Sequence, residues 1–307
     1  MTFDVICLAS WNADLVSRVP RPIARGETLM ASGFSIGPGG KGSNAAIACA
    51  RQGAKVAVIA RIGKDDFGRM ALALWAREGI DASMVEVVVG EPSGVAQILV
   101  YDDGDNSIAV APGAGAGLAA HHADAAAAAL GRARVVMASN EVPQAATHAA
   151  FAHARQGGGL TLLNPAPAQP LPDALLALCD LLTPNETELR LLAGMPAGTP
   201  TAAAAEALLA RGAGAVAVAV TLGAAGCALF RPGQPALALA GHAVQVADTI
   251  GAGDTFTGAM AASLARGEPL EAALACANAA AALSVGERGA ITGMPGLDAV
   301  RALLALR

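Results

Sequence analysis

Aromatic side chains make up only 3% of this 307-residue sequence, and charged ones 15%. Lys41, Lys55 and Lys64 are its only lysines and the formal net charge is −5, so no basic face for nucleic acid is expected and the partner should be a small molecule. Much of the 54% apolar content is alanine, in the manner of helices whose larger residues have been replaced. The five cysteines, Cys7, Cys49, Cys179, Cys227 and Cys276, are odd in number, far apart and set among apolar neighbours, which excludes a ligand-spaced metal centre and reads as buried reduced thiols. Neither a basic leader nor a small-residue cleavage site precedes the strand-like FDVICLAS, so a cytoplasmic location is expected. One uncharged run, GAGAVAVAVTLGAAGCALF at 212 to 230, approaches membrane-spanning length. Its four glycines make it a poor membrane segment, and it reads as a buried strand ending in a turn.

What the chain does have is alternation. Strand-like runs at 5–10, 55–63, 134–139, 160–164, 180–185 and 216–223 are interleaved with helix-like segments at 42–52, 66–78, 143–156, 200–211, 254–266 and 269–284. This predicts an α/β fold with a mostly parallel sheet covered on both faces, whose ligands gather at the carboxyl ends of the strands. Residues 27–36 and 94–110 break the rhythm, the second region being VAQILVY and SIAVA joined by DDGDN. They read as antiparallel strands forming either a small projecting lid or an ordinary edge hairpin.

Two glycine-rich stretches carry the chemistry. IGPGGKGSNAA, 36–46, contains a GxGxxG but lies about thirty residues beyond the first strand, where a dinucleotide fingerprint does not belong, and it fails the Walker pattern at Ser35 and Gly42. Its glycines permit close backbone approach to a ligand, and Lys41 and Asn44 bring polar groups to a helix start, unless the loop is only a tight turn. In GAGDTFTGA, 251–259, the residues Gly251, Ala252 and Gly253 lead into a helix near Asp254, so their amides should form an anion site reinforced by the helix dipole. A lone Asp there is also an ordinary cap. Phosphoryl transfer needs this pairing of amide donors, for charge on the transferred group, with a carboxylate that takes a proton from the attacking hydroxyl.

The stretches GPGGKGSNAAIACARQGAKVAVIARIGKDDFG and DTIGAGDTFTGAM, with SWNAD, SGVAQI, NEVP, NPAPA, TPNETE and TLG in order between or before them, resemble the ribokinase branch of the PfkB carbohydrate kinase family over nearly the whole chain. The resemblance implies one ribokinase-like kinase domain over 1–307, a three-layer α/β/α sandwich with a β-sheet lid formed by about 15–36 and 92–112 that often doubles as a homodimer interface. It implies ATP as co-substrate with Mg²⁺, and Asp254 as base beside an anion hole of the Ala252, Gly253 and Asp254 amides. Sugar binding maps onto Asn12, Asp14, Gly40, Lys41, Asn44, Glu141 and, on the lid, Ala96 and Ile108. Nucleotide binding maps onto Asn185, Thr221, Gly223, Gly226, Gly253 and Asn278. Glu188 matches the carboxylate that orders Mg²⁺ through water, although NETE alone reads as a capped helix start. A K⁺ site would use Asp248, Ile250, Ser284, Glu287 and Gly289, with Gly293 standing where a hydroxyl is common. Trp11, bulkier than the usual aliphatic residue, and Asn44-Ala45-Ala46 in place of Asn-Gln-Ala are departures that bear on specificity. The implied activity is phosphorylation of the 5-hydroxyl of D-ribose. Deoxyribose, fructose, another hexose or a nucleoside are alternative acceptors, and a catalytically silent sugar-binding protein is the alternative outside catalysis.

Overall fold

A computed structural model describes residues 2–212 and 217–306. Its strands are β1 (Val5–Leu8), β2 (Asn12–Arg18), β3 (Gly33–Gly39), β4 (Val56–Gly63), β5 (Asp81–Val88), β6 (Gly94–Val100), β7 (Asn106–Ala111), β8 (Val135–Ser139), β9 (Leu160–Asn164), β10 (Leu181–Leu182), β11 (Ala217–Thr221), β12 (Gly226–Phe230) and β13 (Leu237–Ala240). Nine of them form the main sheet in the order β13-β12-β11-β10-β9-β8-β1-β4-β5. From β5 to β11 all neighbours are parallel, whereas β12 and β13 add antiparallel pairs at one edge.

Both faces of this sheet are covered, which explains why its strands are continuously apolar rather than alternating. Along β1, Val5 and Cys7 enter one core while Ile6 and Leu8 enter the other; along β8, Val135 and Met137 part from Val136 and Ala138 in the same way. The first core is closed by the helices Lys41–Arg51, Asp66–Arg77, Ala252–Ala265 and Leu270–Ser284, the second mainly by Gln144–Gln156, Glu186–Leu192 and Thr201–Arg211. The result is the expected three-layer α/β/α arrangement. In it the Ala252–Ala265 helix is buried over most of its length, and small residues let it press closely on its neighbour. A Cβ on Gly258 would lie 2.3 Å from the Ala45 carbonyl oxygen of the Lys41–Arg51 helix.

A second, four-stranded sheet runs β3-β2-β6-β7, with β2 parallel to β6 and the other pairs antiparallel. The irregular regions of the sequence therefore meet in one small sheet, but with shifted bounds: residues 27–32 are not strand, β3 extends to Gly39, and Asn12 and Asp14 lie at the start of β2. Strands β5, β12 and β13 were not expected. Of the uncharged run at 212–230, residues 213–216 lie outside the described residues, and the rest folds as β11, a turn and β12. Among the described residues no helix is long and apolar enough to cross a membrane.

Candidate active site

Asp254 is the third residue of the Ala252–Ala265 helix, whose N-cap, Gly251, holds the left-handed conformation at φ 79°. Gly251 is required on two counts, since a Cβ there would also lie 2.6 Å from the Ala290 carbonyl oxygen. The carboxyl group is 5% exposed and is met from two elements, by Asn44 Nδ2 donating to Oδ2 at 3.0 Å and by Asn164 Nδ2 donating to Oδ1 at 3.4 Å. Burial pushes its pKa up to about 6, against the pull of Lys41 and of the Asn44 bond. Asp254 in turn is the main cause of the raised pKa of the Lys41 ammonium. A carboxylate proton affinity poised near 6 suits a base that must be ionised at neutral pH and still take a proton.

Fewer amides are free here than the sequence suggests. The Ala252 amide donates to the Thr249 carbonyl at 3.3 Å, whereas the Gly253 and Asp254 amides have no acceptor among the described residues. A Cβ on Gly253 would meet nothing within 4 Å, so that stretch of backbone faces open space. Two hydroxyls steady it, Thr257 donating to the Gly253 carbonyl at 2.9 Å and Thr183 pairing with Thr257 at 2.9 Å. This space is a cavity of about 360 Å³ lined by Lys41, Asn164, Asn185, Glu188, Thr221, Gly253 and Asp254 among others.

A second cavity, of about 250 Å³, is lined by Ser10, Trp11, Asn12, Asn140, Glu141 and the small sheet's Val110 among others. Lys41 links the two: it borders the first, and its amide donates at 2.8 Å to Oε2 of Glu141, which lines the second. Ser10 donates to the same oxygen at 2.7 Å while accepting from the Gly42 amide at 3.0 Å, so it locks the glycine loop to the end of β8. Gly40, at φ 93°, fits there because a Cβ would lie 2.6 Å from the Ser10 carbonyl oxygen. Asp14 sits against Gly39, where a Cβ would fall 2.1 Å from its Oδ1. Burial, then Glu141 and Asp254, push the Asp14 pKa up to about 6, with Lys41 opposing. Asn44 Oδ1 and Trp11 Nε1 are buried without a hydrogen-bond partner. An orphaned acceptor beside Asp254 fits a ligand hydroxyl.

Some expected residues stand apart. Ile108 is 57% exposed; Val110, on the same face of β7 and opposite buried Ala96, lines the cavity instead. Gly223 and Gly226 shape the turn between β11 and β12, at φ 58° and 103°, and do not border the larger cavity. Asn278 donates to the Ala240 carbonyl at 2.9 Å and does not border it either. Glu188 borders the cavity but also closes a capping box, accepting from the Asn185 amide at 2.9 Å while Asn185 accepts from the Glu188 amide at 2.8 Å. Asp248 accepts from the Ile250 and Gly289 amides at 3.0 and 2.9 Å, which draws together two segments expected at a cation site. A Cβ on Gly293 would lie 2.1 Å from the Ser284 carbonyl oxygen, so close packing explains why no hydroxyl side chain stands there. Ser10, Asn164, Thr183 and Thr257 were not foreseen as site residues. Their signal was present in SWNAD, NPAPA, TPNETE and GDTFTG, but a small polar residue at or just after a strand end, or inside a helix, has no distinctive spacing.

The profile of the pfkB family carbohydrate kinases matches residues 2–297. The ribokinase of Haemophilus influenzae is 38% identical over 288 residues, covering 94% of each chain. The deoxyribokinase of Salmonella typhimurium is 34% identical over 306 residues, covering 99% of each. Among solved structures, Arabidopsis thaliana ribokinase complexed with ribose and ATP superposes with a TM-score of 0.92 at 33% identity, covering 99% of each chain.

Proposed function

Since the chain belongs to the pfkB carbohydrate kinase family, we propose that it transfers the γ-phosphoryl group of ATP to the 5-hydroxyl of D-ribose. The observation that carries this reading is the place of Asp254, a buried carboxylate on the wall of the larger cavity, with free amides beside it and an electrostatic tie to Lys41, whose own amide bonds to Glu141 on the wall of the smaller one. The sugar would lie in the smaller cavity beneath the small sheet, its hydroxyls shared among Asn12, Asp14, Asn44, Glu141 and the Lys41 loop. The triphosphate would lie in the larger one, toward Asn185 and Thr221. Asp254 takes the proton of the 5-hydroxyl as its oxygen attacks in line, and the Gly253 and Asp254 amides, with Lys41, meet the charge on the transferred group. Asn44 and Asn164 hold the carboxylate in position for that transfer.

Mg²⁺ fits near Glu188, a hard oxygen donor at the cavity wall, and supplies charge neutralisation at the β- and γ-phosphates when bound. K⁺ fits the loop drawn in by Asp248, where Ile250, Ser284, Glu287 and Gly289 would supply mainly backbone carbonyls as the remaining donors. The whole chain acts as one kinase unit with the small sheet as its lid. Lid pairing into a homodimer is favoured by the exposed Phe34, Ile36 and Ile108, and a cytoplasmic location by five buried unpaired cysteines. Deoxyribose is the second reading, favoured by the deoxyribokinase relative. ADP release measured over ribose, deoxyribose, hexoses and nucleosides tests both: ribose is expected to give the highest kcat/KM, and a preference for deoxyribose or a nucleoside would replace it.

A further inference from the structure

The small sheet joins the main body at four chain passages, and two of them, leading into β6 and out of β7, cross the loop that follows β4. The half-buried side chain of Asp65 stands at that crossing. Asp65 accepts from the Ser93 amide at 2.7 Å through Oδ2 and from the Ser93 hydroxyl at 2.7 Å through Oδ1, while Oδ1 also caps the Asp66–Arg77 helix by accepting from the Gly68 amide at 2.7 Å. Ser93 is 2% exposed, and its hydroxyl accepts from the Gly63 amide at 3.0 Å. The contacts around it leave no slack: a Cβ on Gly63 would lie 2.5 Å from the Ser93 nitrogen, and one on Gly113 2.3 Å from the Pro92 carbonyl oxygen. The second passage is tied to the first, since the Ala114 amide donates to the Pro92 carbonyl at 2.8 Å. Arg61 spans both as well, donating to Glu91 at 2.7 Å and to the Ala114 carbonyl at 2.8 Å.

The next residue carries this knot to the site. Gly94 pairs with Asn12, and a Cβ there would lie 2.5 Å from Asn12 Oδ1 and 3.1 Å from the Pro112 carbonyl oxygen. Asn12 and Pro112 both line the smaller cavity. We propose that Asp65 and Ser93 are positioning residues for the acceptor: their bonds fix the pivot of the small sheet and so set where Asn12 meets the sugar. They touch neither substrate, and a helix cap alone would not require Asp65 to hold both polar groups of a residue 28 positions away.

The inference rests on the reading that the smaller cavity holds the sugar, and one set of measurements separates the two. Initial rates and sugar affinity by calorimetry are compared for wild type, Ser93→Ala and Asp65→Asn. Ser93→Ala removes one hydroxyl and keeps the helix cap, so it decides the matter should Asp65→Asn fail to fold. The expected result is a rise in the sugar KM and dissociation constant of about tenfold, the size of a lost bond to a charged group. The KM for ATP should stay within twofold, and ADP release in water alone should become a larger share of turnover as the sheet seals the site less well. A Ser93→Ala enzyme with unchanged sugar affinity, or with sugar and ATP constants shifted alike, would overturn the proposal while leaving the kinase reading intact. A wild type that phosphorylates no sugar would overturn both.

Discussion

At the scale of single residues, the account turns on two carboxyl groups with pKa values near 6, Asp254 and Asp14, and on one cation, Lys41. The base must be ionised to work, so kcat/KM should be flat above about pH 7 and fall about tenfold or more per unit below pH 6, as a limb that belongs to the coupled pair. A rate profile from pH 5 to 8 checks this, and a flat line down to pH 5 would contradict it. The same shift has a cost in stability. A carboxyl whose pKa is raised on folding binds its proton more tightly in the folded state, so the ionised form weighs against folding once the pH passes from the ordinary 3.8 to above 6. Asp254→Asn should therefore melt at or above the wild-type temperature at pH 7.5, with the gain gone at pH 4, where the wild-type carboxyl is itself protonated. Trp11 poses the converse case. It packs edge-on against Trp75 at 5.9 Å, yet its indole N–H is buried unpaired, which costs about 1–3 kcal/mol. Trp11→Phe keeps the ring contact, and its urea midpoint should equal or exceed that of wild type.

Elements explain how the site is held. Helix Lys41–Arg51 brings Asn44 to Asp254 only because Gly258 lets the helices touch at Ala45. Gly258→Ala should force them apart, with a loss of roughly 1–3 kcal/mol in urea unfolding and a fall in kcat larger than the change in either KM. Opposite the Gly251–Asp254 loop, the segment around Gly289 is held by Asp248 and Ala290 lies close against Gly251, so a monovalent cation there would stiffen the proposed anion hole. Rates in K⁺ should exceed those in Na⁺ or Tris, and indifference to K⁺ would remove that part of the proposal. These elements were legible in the sequence to different degrees. Six of the helices and five of the seven parallel strands were readable because both-face burial makes their apolar runs continuous and because Ala, Gly and Asp mark their ends. The DLLTPN run shrank to the two residues of β10, since Pro184 and the Asn185 cap end its pairing. Strands β5 and β13 escaped because half-exposed edge strands carry a weak pattern, and the site's bridging hydroxyls escaped because their role exists only across strand ends distant in sequence.

For the whole molecule, the parallel sheet delivers Ser10, Glu141, Asn164, Thr183 and Thr221 to one edge from five different strand ends, and the small sheet closes over that edge. Its Phe34 and Ile36 leave apolar surface uncovered, so the protein should behave as a dimer in light scattering, and Phe34→Asp should shift it toward monomer. The general architecture followed from alternation, and the loop that places Asp254 at the start of a buried helix was marked by its glycine motif. The acceptor was less legible, because specificity rests on cavity walls contributed by β2, β7 and the segment after β8. That Asp254, on the wall of the larger cavity, is the base is tested most directly by the ribose-dependent turnover of Asp254→Asn with ATP and ribose binding measured alongside. The account predicts a loss on the order of 10²-fold or more in kcat with both affinities within a few-fold of wild type. A variant that keeps more than about a tenth of wild-type turnover would place the base elsewhere.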